Sequence, residues 1–164
     1  MTGHTHENVT FKTARNLGMT VAVLVLVLIS PAIASLGASE DSVQDDQVRM
    51  KAKIRITTTL GYTIHELTSP LGTQVREYVS TSGKVFAVSW QGPFQPDMKQ
   101  ILGAYFGLYS LAAKEQRQKQ LRGSPLNIHK PSLVFQSTGH MRAYSGLAYD
   151  PGLLPPEVDV NELR

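Results

Sequence analysis

The chain has 164 residues, a net charge of +3 and no cysteine. That length leaves room for one domain, and the missing thiols exclude disulfides, thiolate metal sites, a cysteine nucleophile and a lipidated cysteine anchor. Apolar residues make up 41% and charged residues 18%, a globular composition that excludes global disorder and a multi-span membrane protein.

Residues 1–34 read as a signal peptide. Lys12 and Arg15 supply the positive start, Val21 to Ile29 is an unbroken apolar run, and Ala32-Ile33-Ala34 puts small residues at both positions read by signal peptidase. Cleavage after Ala34 is expected, with a periplasmic or secreted product. The rival reading is an uncleaved membrane anchor, but the run falls short of the roughly 20 apolar residues a bilayer-spanning helix needs, and Ser30-Pro31 breaks it. No stable transmembrane segment is expected after cleavage. With Lys12, Arg15 and Glu7 removed, about +2 of charge remains, too little for a strong steering field.

Residues 35–47 are rich in Ser, Gly, Asp and Glu and predict a flexible start, with at most one helical turn near Asp41 to Gln47. From Val48 to Ile56 apolar and cationic residues alternate strictly, the period of a half-buried strand, although a helix continuing from Asp41 is the alternative for its first half. Tyr62–Thr68, Thr73–Ser80 and Lys84–Gln91 follow as three strands of a meander, separated by Ser69-Pro70-Leu71-Gly72 and Thr81-Ser82-Gly83. In the third of these both faces are apolar, which suits a central strand covered on both sides.

Pro93 and Pro96 end the sheet, and Asp97 to about Gln118 predicts one long helix, with apolar residues at three- and four-residue steps from Met98 to Ala112. Gly103 and Gly107 inside it suggest close packing of its backbone on the sheet. After a loop through His129, Ser132–Ser137 and His140–Tyr149 predict a last hairpin turning at Thr138-Gly139. The Pro-rich, acidic tail 151–164 is expected to be extended on the surface. The expectation is an α+β domain over 48–150: an antiparallel sheet of about five strands, made of a meander, one long helix and a C-terminal hairpin.

Several blocks carry a resemblance. Tyr62 onward through REYVS (76–80), GKVFAVSWQGP (83–93), PDMKQILGAYF (96–106) and GHMRAYSGLAY (139–149) resembles the exported bacterial family known as domain of unknown function 2844. The resemblance covers Tyr62 to Pro155. It implies an exported single domain and carries over no activity, cofactor or catalytic residue.

No motif points to a cofactor or a metal. His65, His129 and His140 form no short-spaced pair, and Ser145 has neither a nucleophile elbow nor an evident base. Glu77 is the one candidate acid. It shares a strand face with Val75 and Val79, so a buried face would raise its pKa unless a cation such as Arg142 or Arg55 compensates. A glycosidase-like pair would need Glu66 or Asp97 as its second carboxylate.

Arg49, Lys51, Lys53 and Arg55 would form a basic stripe on one strand. That stripe suits lipid headgroups or anionic polysaccharide, or else guards a sheet edge, and without interleaved aromatics no nucleic acid is expected. Arg76, Tyr78, Trp90, His140, Arg142 and Tyr144 would make a contact surface if the two hairpins are neighbours, although Trp90 suits a core position equally well.

The leading expectation is a non-enzymatic module binding an envelope protein or polymer. An envelope hydrolase centred on Glu77 and an anionic-surface binder are the alternatives. N-terminal sequencing of the exported form is expected to begin at Ser35; a product that retains Val21 to Ile29 would restore the membrane anchor.

Overall fold

The structure, a computed structural model, describes residues 36–119 and 124–163. The predicted leader lies outside the described residues.

Helix α1 runs over Ser42–Met50. Val43, Asp46, Gln47 and Met50 recur at helical spacing and turn inward, while Val48, which the alternation assigned to a buried strand face, stays 75% exposed. Lys51 adopts the left-handed conformation at φ 50° and closes the helix with its N–H on the Gln47 and Val48 carbonyls. Strand β1 therefore begins only at Lys53 and ends at Thr58. The stretch 36–47 is not the flexible segment its composition suggests. Leu36 and Gly37 donate backbone hydrogen bonds to Ile101 and Val85, and Leu36 and Val43 are buried.

Strands β2 (Tyr62–Thr68), β3 (Gln74–Ser80) and β4 (Val85–Gly92) form the expected meander. The predicted single helix is broken into α2 (Met98–Leu102), a 3-10 turn (Gly103–Tyr105) and α3 (Phe106–Lys119). Asp97 caps α2, accepting from the Lys99 and Gln100 N–H groups. Gly103, at φ 46° and ψ −116°, makes the break, so its use is conformational. Gly107 is no packing device, since a Cβ there would meet open space.

Among the described residues the sheet has seven strands where about five were expected, and one of them falls on a segment not read as a strand. Segment β5 (Leu126–Lys130) takes up the stretch assigned to a loop, and β6 (Leu133–His140) and β7 (Ala143–Tyr149) form the last hairpin. That hairpin turns at Met141-Arg142, with Arg142 at φ 62°, and not at Thr138-Gly139.

All seven strands join one antiparallel sheet in the order β1-β2-β3-β4-β7-β6-β5, so the protein is α+β. The helices cover one face, where Val75, Val88, Trp90, Phe135 and Ala148 pack with Val43, Ile101, Leu102 and Tyr109. The tail covers part of the other face. It is neither extended nor merely superficial: Val158 and Leu163 are buried against Tyr78, Phe86, Ala87 and Leu147. Asp150 anchors its start by accepting the Tyr105 hydroxyl at 2.5 Å and the Gly152 N–H at 2.8 Å; burial, together with that bond to Asp150, pushes the Tyr105 pKa up to about 12. Among the described residues no helix is long and apolar enough to cross a membrane.

Trp90 and Gly146 face each other across β4 and β7, and the indole lies where a side chain at 146 would go: a Cβ there would come within 2.1 Å of it. Gly146→Ala is expected to cost about 1–3 kcal/mol through overpacking, read as a lower Tm and an altered fluorescence of Trp90, the sole tryptophan. An unchanged Tm and spectrum would contradict this packing.

Candidate functional site

The face opposite the helices is divided into rows that run across the strands. One row, Ile64, Tyr78, Ala87 and Tyr149, is apolar and lies beneath the tail. The next, Arg55, Glu66, Arg76, Ser89, Leu147, Gln136 and Asn127, is mostly polar. Beyond it, Gln74, Gln91, Ser145 and Thr138 make a second polar row.

Where these two rows cross β3, β4, β7, β6 and β5 there is a cleft of about 400 Å³. Carboxamides of Gln74, Gln91, Asn127 and Gln136, hydroxyls of Ser89, Thr138 and Ser145, and Arg76 line it, over the side chain of Leu147; Trp90 and Gly146 border it, but the indole lies on the helix side of the sheet. Its lining contains no Asp, Glu or His.

Arg76 is held in place by Glu66, which accepts from Arg76 Nε at 3.0 Å and from Arg55 Nη2 at 2.7 Å. Burial works against the Glu66 charge, but the hydrogen bonds from Arg76 and Arg55 prevail and hold its carboxyl below the usual range.

Of the six residues expected to form a contact surface, only Arg76 puts its side chain into the cleft; Trp90 borders it, but its indole is buried in the helix-side core against Phe135. The hairpins β3–β4 and β6–β7 do adjoin, through β4 and β7. Tyr78, however, is 1% exposed beneath the tail, its hydroxyl sharing a hydrogen bond with Ser89 at 3.1 Å. Tyr144 lies on the helix-side face, over Gly139. His140 and Arg142 are exposed at the end of the last hairpin. The surface is thus split between two faces, because alternate residues of a strand point to opposite sides.

The basic stripe is likewise divided. Arg49 belongs to α1 and Lys51 is its left-handed cap, so only Lys53 and Arg55 share a face of β1, which is an edge of the sheet.

Glu77 points into the helix-side core and is fully buried, opposite His65 on β2. Its charge has no compensating Arg142 or Arg55; its neighbour is another acid, Asp46 of α1. Gln100 Nε2 donates to Asp46 Oδ1 at 2.5 Å, while Asp46 Oδ2 and both Glu77 oxygens have no hydrogen-bond partner at ordinary distance.

Burial first, and the Asp46 charge second, push the Glu77 pKa well above the carboxylate range. Burial raises Asp46 to about 6. The pair is neutralised most simply by a proton kept on Glu77 and directed at Asp46. His65 Nε2 meets the Glu40 carboxylate at 3.0 Å, which calls for a proton on Nε2. Neither Glu77 nor Asp46 lines the cleft or the groove along α3 between Tyr109 and Gln118. Among the described residues no group of three or more His, Asp or Glu is arranged to hold a metal.

The family described as Protein of unknown function (DUF2844) matches residues 32–163. The chain belongs to this family. The match extends beyond the Tyr62–Pro155 blocks to take in α1, β1 and the tail, the segments that complete the two cores. No curated protein and no solved structure matches the chain, so the DUF2844 domain brings no assigned chemistry, and the site rests on its own geometry.

Sequence reasoning missed Gln74, Ser89, Asn127, Gln136 and Thr138 of the cleft. Four of them had a signal: Ser89 and Asn127 lie between two apolar strand neighbours, and Gln74 and Gln136 beside one. What was missing was the strand order that aligns them.

The acid pair sets a pH dependence. Its carboxyls have raised pKa values in the folded state, so their stabilisation is complete below about pH 4 and is lost as pH rises through about 6 and above. The depressed Glu66 acts in the opposite sense, but only as pH falls below about 4.5. Wild-type Tm is therefore expected to drop by on the order of 5 °C between about pH 5.5 and pH 8. Glu77→Gln, which keeps a donor for Asp46, should flatten that slope, whereas Glu77→Ala should lower Tm at both values. A wild-type Tm that rises over this interval would refute the neutral pair.

Proposed function

We propose that this chain is an exported, non-enzymatic binding module of the bacterial envelope, periplasmic or secreted, which takes a polar, uncharged part of an envelope protein or polymer into the cleft. One observation carries the reading: the cleft combines carboxamides and hydroxyls with an Arg already bonded to Glu66, over an apolar floor, and its lining has no group suited to general acid–base work near neutral pH. Ser145 lies there with no base beside it in the lining, so it acts as a hydrogen-bonding group. The raised carboxylate that would mark a hydrolase, Glu77, is closed off under α1. Export is supported by the apolar run before Ser30-Pro31 and by a family match that starts at residue 32, close to the expected cleavage point after Ala34.

The test is sedimentation of the exported protein with isolated envelopes. Wild type and Glu77→Gln should be retained, and the double variant Gln91→Ala/Gln136→Ala, changed at two exposed positions, should move to the supernatant with an unaltered Tm. Envelope breakdown by wild type that is lost in Glu77→Gln would favour the hydrolase. Retention that disappears with salt alone, and not with the double variant, would favour an anionic surface.

A further inference from the structure

From the geometry of the cleft we infer that its ligand is a neutral linear glycan lying across the strands; this rests on the binding reading above. The two polar rows run perpendicular to the strands. They offer a new side chain at each strand step of about 4.8 Å, close to the length of one pyranose unit, and lie about 6.8 Å apart. A polymer crossing β3, β4, β7 and β6 meets Gln74, Gln91, Ser145 and Thr138 along one row, and Arg76, Ser89, Leu147 and Gln136 along the other. Its repeat matches the spacing of the sheet.

The chemistry points the same way. A sugar hydroxyl both donates and accepts, as do carboxamides and Ser or Thr hydroxyls, and the four carboxamides occupy four different strands. Leu147, in the middle of the cleft, gives a small apolar floor that suits the C–H face of a sugar ring. An anionic chain is disfavoured because the Arg76 charge is engaged by Glu66 at 3.0 Å. A peptide added as an extra strand needs an open sheet edge, whereas β4 and β7 are interior strands with neighbours on both sides. The cleft volume, about 400 Å³, lies in the usual range for ligand sites.

The experiment is calorimetric titration of the exported protein with neutral β-1,4-linked hexasaccharides of glucose and of N-acetylglucosamine, with a Gly/Ser peptide and heparin as comparators. One or both hexasaccharides should bind saturably and with little salt dependence, and Gln91→Ala and Gln136→Ala should each weaken binding roughly three- to tenfold. The unrelated surface variant Leu111→Ser should bind as wild type. If the peptide binds in preference and the same variants weaken it, the glycan is overturned while the binding module stands. If neither hexasaccharide binds at about millimolar concentration, the glycan is overturned whatever the peptide does. Failure of the envelope sedimentation test as well would remove the binding reading itself.

Discussion

Strand β4 is buried on both faces from Val85 to Trp90, and each of the other parts of the fold answers to that condition. A strand in this position must find apolar cover above and below, at a gain of roughly 1.5–3 kcal/mol for each large side chain removed from water. The helices supply it on one side. On the other, among the described residues, the cover comes from the C-terminal tail, whose Val158 and Leu163 close over Tyr78, Phe86 and Ala87. A bulge helps: β4 carries an extra residue opposite Tyr78 and Val79, which brings Phe86 and Ala87 to the same side. Tyr62, Tyr78 and Phe86 meet there as an aromatic cluster.

The tail is too short to cover the whole face, and the sheet's composition follows its limit. Beneath the tail the row is Ile64, Tyr78, Ala87 and Tyr149; one step further it is Glu66, Arg76, Ser89, Leu147 and Gln136. Leaving that half open would expose a broad apolar patch if the alternation continued in its apolar form. Amides and hydroxyls make it a wettable surface instead, and the Arg55–Glu66–Arg76 group holds its border. The cleft is therefore a product of incomplete cover on one face.

On the helix side, the acid pair shows how a polar group is tolerated in a core. Two buried carboxyls that approach each other, with Asp46 relieved only in part by the Arg49 charge, are stable only if at least one is neutral, and burial favours that neutrality. Because Asp46 stands on α1 and Glu77 on β3, with Gln100 of α2 as a third member, protonation ties both helices to the sheet. A local charge balance thus acts on long-range docking.

How much was legible in the sequence depended on the range of the interaction responsible. The meander from Tyr62 to Gly92 was readable to within a residue because period-two alternation and Gly or Pro turns are local. So were the α+β class, the double-sided burial of β4, and the unusual placement of Glu77 between Val75 and Val79. Where two local patterns competed, the sequence left the choice open: Val48 to Ile56 alternates like a strand, yet Val43, Asp46, Gln47 and Met50 also suit a helix, and burial of Val43 against the core decided for the helix up to Met50. Leu126–Lys130 and the fate of the tail were settled in the same way, by the surfaces they cover.

The site lay at the far end of that scale. Its residues are ordinary polar positions on five strands, and only the pairing of β4 with β7, from opposite ends of the domain, sets them in two rows. Local periodicity and turn residues suffice for the meander, the α+β class and the oddity of a core carboxylate; what neutralises that acid and where the polar surface lies come from tertiary contacts, because both depend on partners that no local spacing can specify.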